Sequence, residues 1–167
     1  MIINFFEAGC QTFSDRRTFG LCDDPPPARN PAYIDEYNGA IWIAVVENEP
    51  GYDVTFTAID NCITVERPDG TMAQRCDGLL TYNTTAILVE LKQRAAKGNQ
   101  WVTDAESQLR ETIVYFERED ESNQFNTKRA YIANSEHPKF KESQMGRMDR
   151  FLTDTGYILR IENRIRL

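Results

Sequence analysis

The chain has 167 residues, of which 41% are hydrophobic and 27% charged, and a formal net charge of −7. That length and balance suit one globular domain with its own core. They exclude a membrane span, since no apolar run approaches the roughly 20 residues a bilayer requires, and they count against a protein that coats nucleic acid through net positive charge.

The N-terminus, MIINFFEAGC, superficially resembles a lipoprotein signal ending at Cys10. It lacks a basic leading region, and Asn4 and Glu7 interrupt the apolar run, so a cytoplasmic protein is expected. Residues 1–39 read as an irregular covering arm, because Pro25, Pro26, Pro27 and Pro31 bar both helix and central strand. A single domain is expected over residues 40–167, with the arm packed on it. Residues 40–49 are apolar and β-branched, a strand or the start of a buried helix. Residues 54–62 fit either a short helix or an extended piece.

The pattern then sharpens. Residues 63–66 alternate apolar and polar, PDG at 68–70 predicts a hairpin turn, and residues 72–82 predict a second strand. A turn at NTT, 83–85, leads to a third strand over 86–92. Its unbroken apolar run predicts burial on both sheet faces, hence a central strand covered by helices. KGN at 97–99 reads as a loop. TDAE at 103–106 predicts a capping box with Thr103 as N-cap. Ala105, Leu109, Thr112, Ile113 and Phe116 then recur at helical spacing. A fourth strand is expected at 128–134, a last helix stopped at Gly156, and an alternating strand or hairpin at 157–167. The class is α/β, with helices on a central mixed β-sheet.

Cys10, Cys22, Cys62 and Cys76 form no C-x-x-C pair, and His137 is the single histidine. A structural zinc site and a Ser-His-Asp triad are therefore disfavoured, and four free thiols suit a reducing compartment. Charge is unevenly spread: residues 1–127 hold 21 acidic and 10 basic side chains, and residues 128–167 hold 5 and 9. A basic C-terminal face for a polyanion is one reading; two halves that neutralise each other is the other.

The chemistry concentrates around Asp77, Glu90 and Lys92. Glu90 and Lys92 share a strand face, because side chains repeat every two residues. Counting across a hairpin at 83–85 sets Asp77 nearly opposite Glu90. Two carboxylates so placed suit Mg²⁺ or Mn²⁺, with the Leu91 backbone carbonyl as a further oxygen ligand. A cation there would polarise a phosphodiester, and Lys92 would stabilise developing negative charge.

CDG at 76–78, ELK at 90–92 and the helix that follows resemble the core of the PD-(D/E)XK nuclease superfamily over about residues 50–135. That resemblance implies a restriction-endonuclease-like core, metal-dependent cleavage of nucleic acid (DNA more than RNA) and a setting in restriction, repair or defence against mobile DNA. Asp60, with Glu47 second, is the candidate for the further acid that members often carry. Cys76 stands where the nominal proline would be. Gln108 fits the glutamine of the Gln-x-x-x-Tyr branch as a supporting residue, but Thr112 replaces the tyrosine, which favours endonuclease over exonuclease. Arg94 and Lys97 are candidate phosphate contacts. Trp101 and Cys76 read as core and His137 as a surface loop residue. Two other readings remain: a catalytically silent nuclease-fold module that binds a protein or nucleic-acid partner, with a homodimer as a further option, and an unrelated α/β domain whose E-x-K is an ion pair.

Overall fold

A computed structural model describes residues 2–93, 98–136 and 144–167. Among the described residues, ten strands form two sheets: β1 (Gln11–Ser14), β2 (Thr18–Cys22), β3 (Tyr33–Asp35), β4 (Ala44–Glu47), β5 (Val54–Ala58), β6 (Gly78–Tyr82), β7 (Thr85–Lys92), β8 (Thr127–Asn134), β9 (Ile158–Ile161) and β10 (Arg164–Arg166). The larger sheet has the order β1-β5-β6-β7-β8-β9, antiparallel as far as β7 and parallel from β7 to β9. The smaller has the order β10-β4-β2-β3. Helices α1 (Gln100–Glu117) and α2 (Met145–Thr155) complete an α/β fold.

The larger sheet is the middle layer, and β7 shows why. Ala86 and Leu88 pack with Trp101, Ala105, Leu109 and Phe151 of the helices, while Ile87, Val89 and Leu91 pack with Phe19, Leu21 and Val46 of the smaller sheet. An apolar run without alternation is what a strand between two cores requires. Each fully buried Leu or Ile contributes roughly 1.5–3 kcal/mol, so this register resists slipping. Two residues, Asn83 and Thr84, make the β6–β7 turn, and Asn83 takes the left-handed conformation it needs (φ 47°).

Residues 1–39 are not irregular throughout. They supply β1 to the larger sheet and β2 and β3 to the smaller one. The prolines are confined to the link between β2 and β3, so they shape a loop without breaking either strand. The expected strand at 63–66 reduces to one bridge, Glu66 with Met72, and β6 begins only at Gly78. Thr103 lies within α1, whose N-cap is Asn99. Burial of Trp101 and Val102 extends the helix by a turn, and outweighs a cap worth about 1 kcal/mol. Gly156 ends α2 in the left-handed region, φ 80°, as predicted. The C-terminal segment is no hairpin, because β9 joins the larger sheet and β10 the smaller.

Two of the four cysteines are not free: Cys10 and Cys62 form a disulfide, while Cys22 and Cys76 are buried thiols. The thiol argument for a reducing compartment therefore fails for half its evidence. No helix among the described residues is long and apolar enough to cross a membrane. The bridge spans a separation of 52 residues, and closing a loop of that size restricts the unfolded chain by up to about 4 kcal/mol. Cys62→Ser should lower the denaturant midpoint accordingly, and dithiothreitol should bring the wild type down to the same midpoint.

Candidate active site

Asp77 immediately precedes β6, and Glu90 and Lys92 lie at the far end of β7. Because the strands are antiparallel and Gly78 pairs with Val89, Asp77 and Glu90 fall opposite each other. All three side chains stand on the face that α1 covers, since they keep step with Leu79, Ala86 and Leu88. The hairpin count thus places these residues together.

Each group is held from more than one side. Asp77 Oδ2 accepts a 2.6 Å hydrogen bond from the Leu91 amide. The Leu91 carbonyl lies on the same edge of the strand as its N–H, so it too is turned to the Asp77 side. Glu90 Oε2 is 3.0 Å from Lys92 Nζ, which also donates to Gln108 Oε1 at 2.9 Å. Gln108 Nε2 reaches the Arg75 carbonyl at 3.5 Å. One turn on, Thr112 Oγ1 accepts from the Cys76 amide and donates to the Gln108 carbonyl, both at 2.8 Å. Helix α1 therefore clamps the start of β6 and the Lys92 head together. Register also sets Asn134 of β8 beside Lys92 on this face, buried in the same end of the sheet.

Burial makes the carboxylates reactive to their surroundings. Asp77 and Glu90 are only 7% and 2% exposed. Burial first, then the charges of Glu90 and Asp23, hold the Asp77 carboxyl well above the usual carboxylate range, against the pull of the Leu91 amide. Glu90 is raised by burial too, and Lys92 opposes that rise. Its Oε1 is buried without a hydrogen-bond partner.

Sequence reasoning missed Asp23. It follows β2 directly and lies within hydrogen-bonding reach of Asp77; burial, then the Asp60 charge, push it up to about 6. Asp60 does lie nearby, but its Oδ1 pairs with Arg75 at 3.2 Å. Glu47 is elsewhere, on β4, paired with Arg164 and Arg166. Arg94, Lys97 and His137 lie outside the described residues. The carboxylates of Asp23, Asp77 and Glu90 meet in pairs, Asp23 on Asp77 and Asp77 on Glu90. Among the described residues, no three His, Cys, Asp or Glu side chains already stand as a ready metal shell.

Among the described residues, four of the chain's nine C-terminal cations pair with acids from the first 127 residues. Lys128 pairs with Glu117, Arg147 with Glu106, and Arg164 and Arg166 with Glu47, so the two halves of the chain do neutralise each other at these positions. No protein-family model matches the chain, and neither a curated protein nor a solved structure matches it.

Two outcomes are expected here. A Cβ on Gly78 would sit 2.1 Å from Phe56 Cζ, so Gly78→Ala should destabilise the chain by about 1–3 kcal/mol in chemical denaturation. The pH response follows from the raised carboxyls. Their protonated forms are favoured by folding, so that contribution is complete below the unfolded value near 3.8 and is lost as pH rises through the folded values, about 6 for Asp23. Without divalent cations the melting temperature should rise on going from pH 7.5 to 5.5, and Asp77→Asn should flatten that slope.

Proposed function

We propose that the chain is a metal-dependent nuclease of the PD-(D/E)XK type, with a restriction-endonuclease-like core, that hydrolyses internal phosphodiester bonds, in DNA more than RNA. The observation that supports this reading most is the convergence of Asp77, Glu90 and Lys92 at one end of β7, with Glu90 Oε1 buried and lacking a donor. A buried ion pair is a poor way to gain stability, since desolvation of each charge costs several kcal/mol. Retaining one here fits a site better than trim.

Asp77 and Glu90 would hold Mg²⁺ or Mn²⁺, with the Leu91 carbonyl as a backbone oxygen ligand. A bound divalent cation would supply polarisation of the phosphate and a more acidic water. The chain's own residues do the rest. The Leu91 amide fixes the Asp77 carboxyl, Gln108 steers the Lys92 ammonium, and Lys92 donates to the oxygen on which negative charge grows. The setting in this reading is restriction, repair or defence against mobile DNA, with the cytoplasm as its compartment; the Cys10–Cys62 bridge counts against that compartment.

A second reading rests on a different observation. Lys92 is already engaged by Glu90 and Gln108, and its side chain is only 11% exposed. Such a closed network also fits a catalytically silent nuclease-fold module that docks a protein or nucleic-acid partner, or a second copy of itself.

Purified chain incubated with supercoiled plasmid, linear DNA and RNA in Mg²⁺ or Mn²⁺ separates the two. The nuclease reading expects nicking by the wild type and a loss of about 100-fold or more in Glu90→Ala and Lys92→Ala. Equal cleavage by all three would expose a contaminant. No cleavage by the wild type, with retained binding in a gel-shift assay, would favour the silent module.

A further inference from the structure

We propose that the Cys10–Cys62 bridge is a thiol-exchange site, attacked at Cys62 by an uncharged dithiol, and that its reduction loosens the main chain that positions Asp77. The inference concerns the covalent state of the chain and stands whether or not the Asp77 site cleaves nucleic acid.

The two ends of the bridge differ in access. Cys10 is buried, whereas Cys62 is half-buried and lines a surface cavity of about 200 Å³. Ile3 and Ile63 form part of its wall, and the exposed Asn4, Glu7 and Thr64 stand around it. A water takes about 30 Å³ of the liquid, so the cavity has room for a small organic thiol. Glu7 and the chain's net charge of −7 repel an anionic thiol, which favours an uncharged dithiol as the reductant. Cys22 and Cys76 are buried thiols, so exchange enters through Cys62.

The step is a pair of displacements. A thiolate of the dithiol attacks Cys62 Sγ, the bridge breaks, and Cys10 leaves as a thiolate that takes up a proton. The second thiol of the reagent, on losing its proton, displaces Cys62, which is protonated in turn. Two electrons pass to the chain, and the dithiol departs as its own disulfide.

Cys62 belongs to a tight turn that the bridge supports. Its amide and that of Ile63 donate to the Ile59 carbonyl at 3.1 and 2.8 Å, and Asn61 takes φ 61°. A left-handed backbone is costly outside glycine, so the turn needs support from its surroundings. On one side the bridge ties it to Cys10, which leads into β1. On the other it holds the segment that carries the acid. The Ile59 amide donates to the Asp77 carbonyl at 2.9 Å and the Asp60 amide to the Cys76 carbonyl at 3.2 Å. Arg75 reaches the Asp60 carboxylate at 3.2 Å and the Ile63 carbonyl at 3.0 Å. Removing a cross-link favours open states of the segments it joined, and here the turn passes that freedom to Asp77.

The test treats the full chain with dithiothreitol under native conditions, alkylates with iodoacetamide for mass spectrometry, and records amide NMR spectra of both forms. Reduction is expected at a rate proportional to dithiothreitol concentration, with Cys10 and Cys62 alkylated and Cys22 and Cys76 untouched. The amide resonances of Asp60 and of Leu91, which donates to Asp77 Oδ2, should shift or broaden in the reduced chain, while Leu159, two strands beyond β7, keeps its position. A rate independent of dithiothreitol would mean that exchange waits for unfolding and would overturn the site. An unmoved Leu91 amide would overturn the link to Asp77, and loss of the Leu159 signal with the others would reduce the bridge to a global brace. Cys62→Ser should show the reduced pattern without reagent; should it fail to fold, the reduced wild type carries the same reading.

Discussion

Strand β7 carries a carboxylate into the buried layer and an ammonium to its edge, where the Lys92 side chain is only 11% exposed. Val89 and Leu91 face the smaller sheet, Leu88 faces the helices, and Glu90 lies between them without a turn to lift it out. A surface ion pair would be worth about 0–1 kcal/mol and would ask little of its surroundings. At this depth the desolvation of each ion is larger than that, so the neighbourhood must answer each charge separately. Lys92 answers Glu90, Gln108 answers Lys92 and the Leu91 amide answers Asp77, while Thr112 holds the Cys76 amide; together these contacts tie α1 to the sheet where β6 begins. The fold around the site follows from keeping one strand apolar on both faces and polar at its end.

The same constraint explains which parts of the site were legible in the sequence. An apolar run ending in Glu-x-Lys announces a central strand, and a tight turn lets residues be counted across a hairpin, so Asp77, Glu90 and Lys92 could be placed together. The face of α1 was legible for the same reason, since Ala105, Leu109 and Phe116 repeat at helical spacing. Asp23 left no such signal. Its neighbours are short strands of five and three residues, below the length at which alternation stands out, and the prolines between them masked both. Its role depends on a contact between sheets, which no local pattern encodes. The Cys10–Cys62 pair was hidden likewise, because bridging depends on Cα atoms meeting at 6.0 Å across 52 residues.

Thr103 and the C-terminal segment show how local rules yield to packing. Thr103 has the chemistry of an N-cap, yet Trp101 and Val102 gain more by continuing the helix into the core. Residues 158–166 alternate as a hairpin would, yet Leu159 and Ile165 serve different cores, one beneath the helices and one beneath the smaller sheet. In each case the competing term is buried apolar area, worth more than a cap or a turn.

The parallel pairing of β10 with β4 has a consequence for how the chain reaches this state. Until residues 164–166 have been made, β4 is paired with β2 on one side only, and the opposite row of backbone N–H and C=O groups is open. Closure of that edge joins segments more than a hundred residues apart, which slows folding in the way any distant strand pairing does. During that interval the inner face of the smaller sheet, with Phe19, Leu21 and Val46, is only partly protected. Newly made chains are thus exposed to edge-to-edge association before they are exposed to anything the finished site might bind.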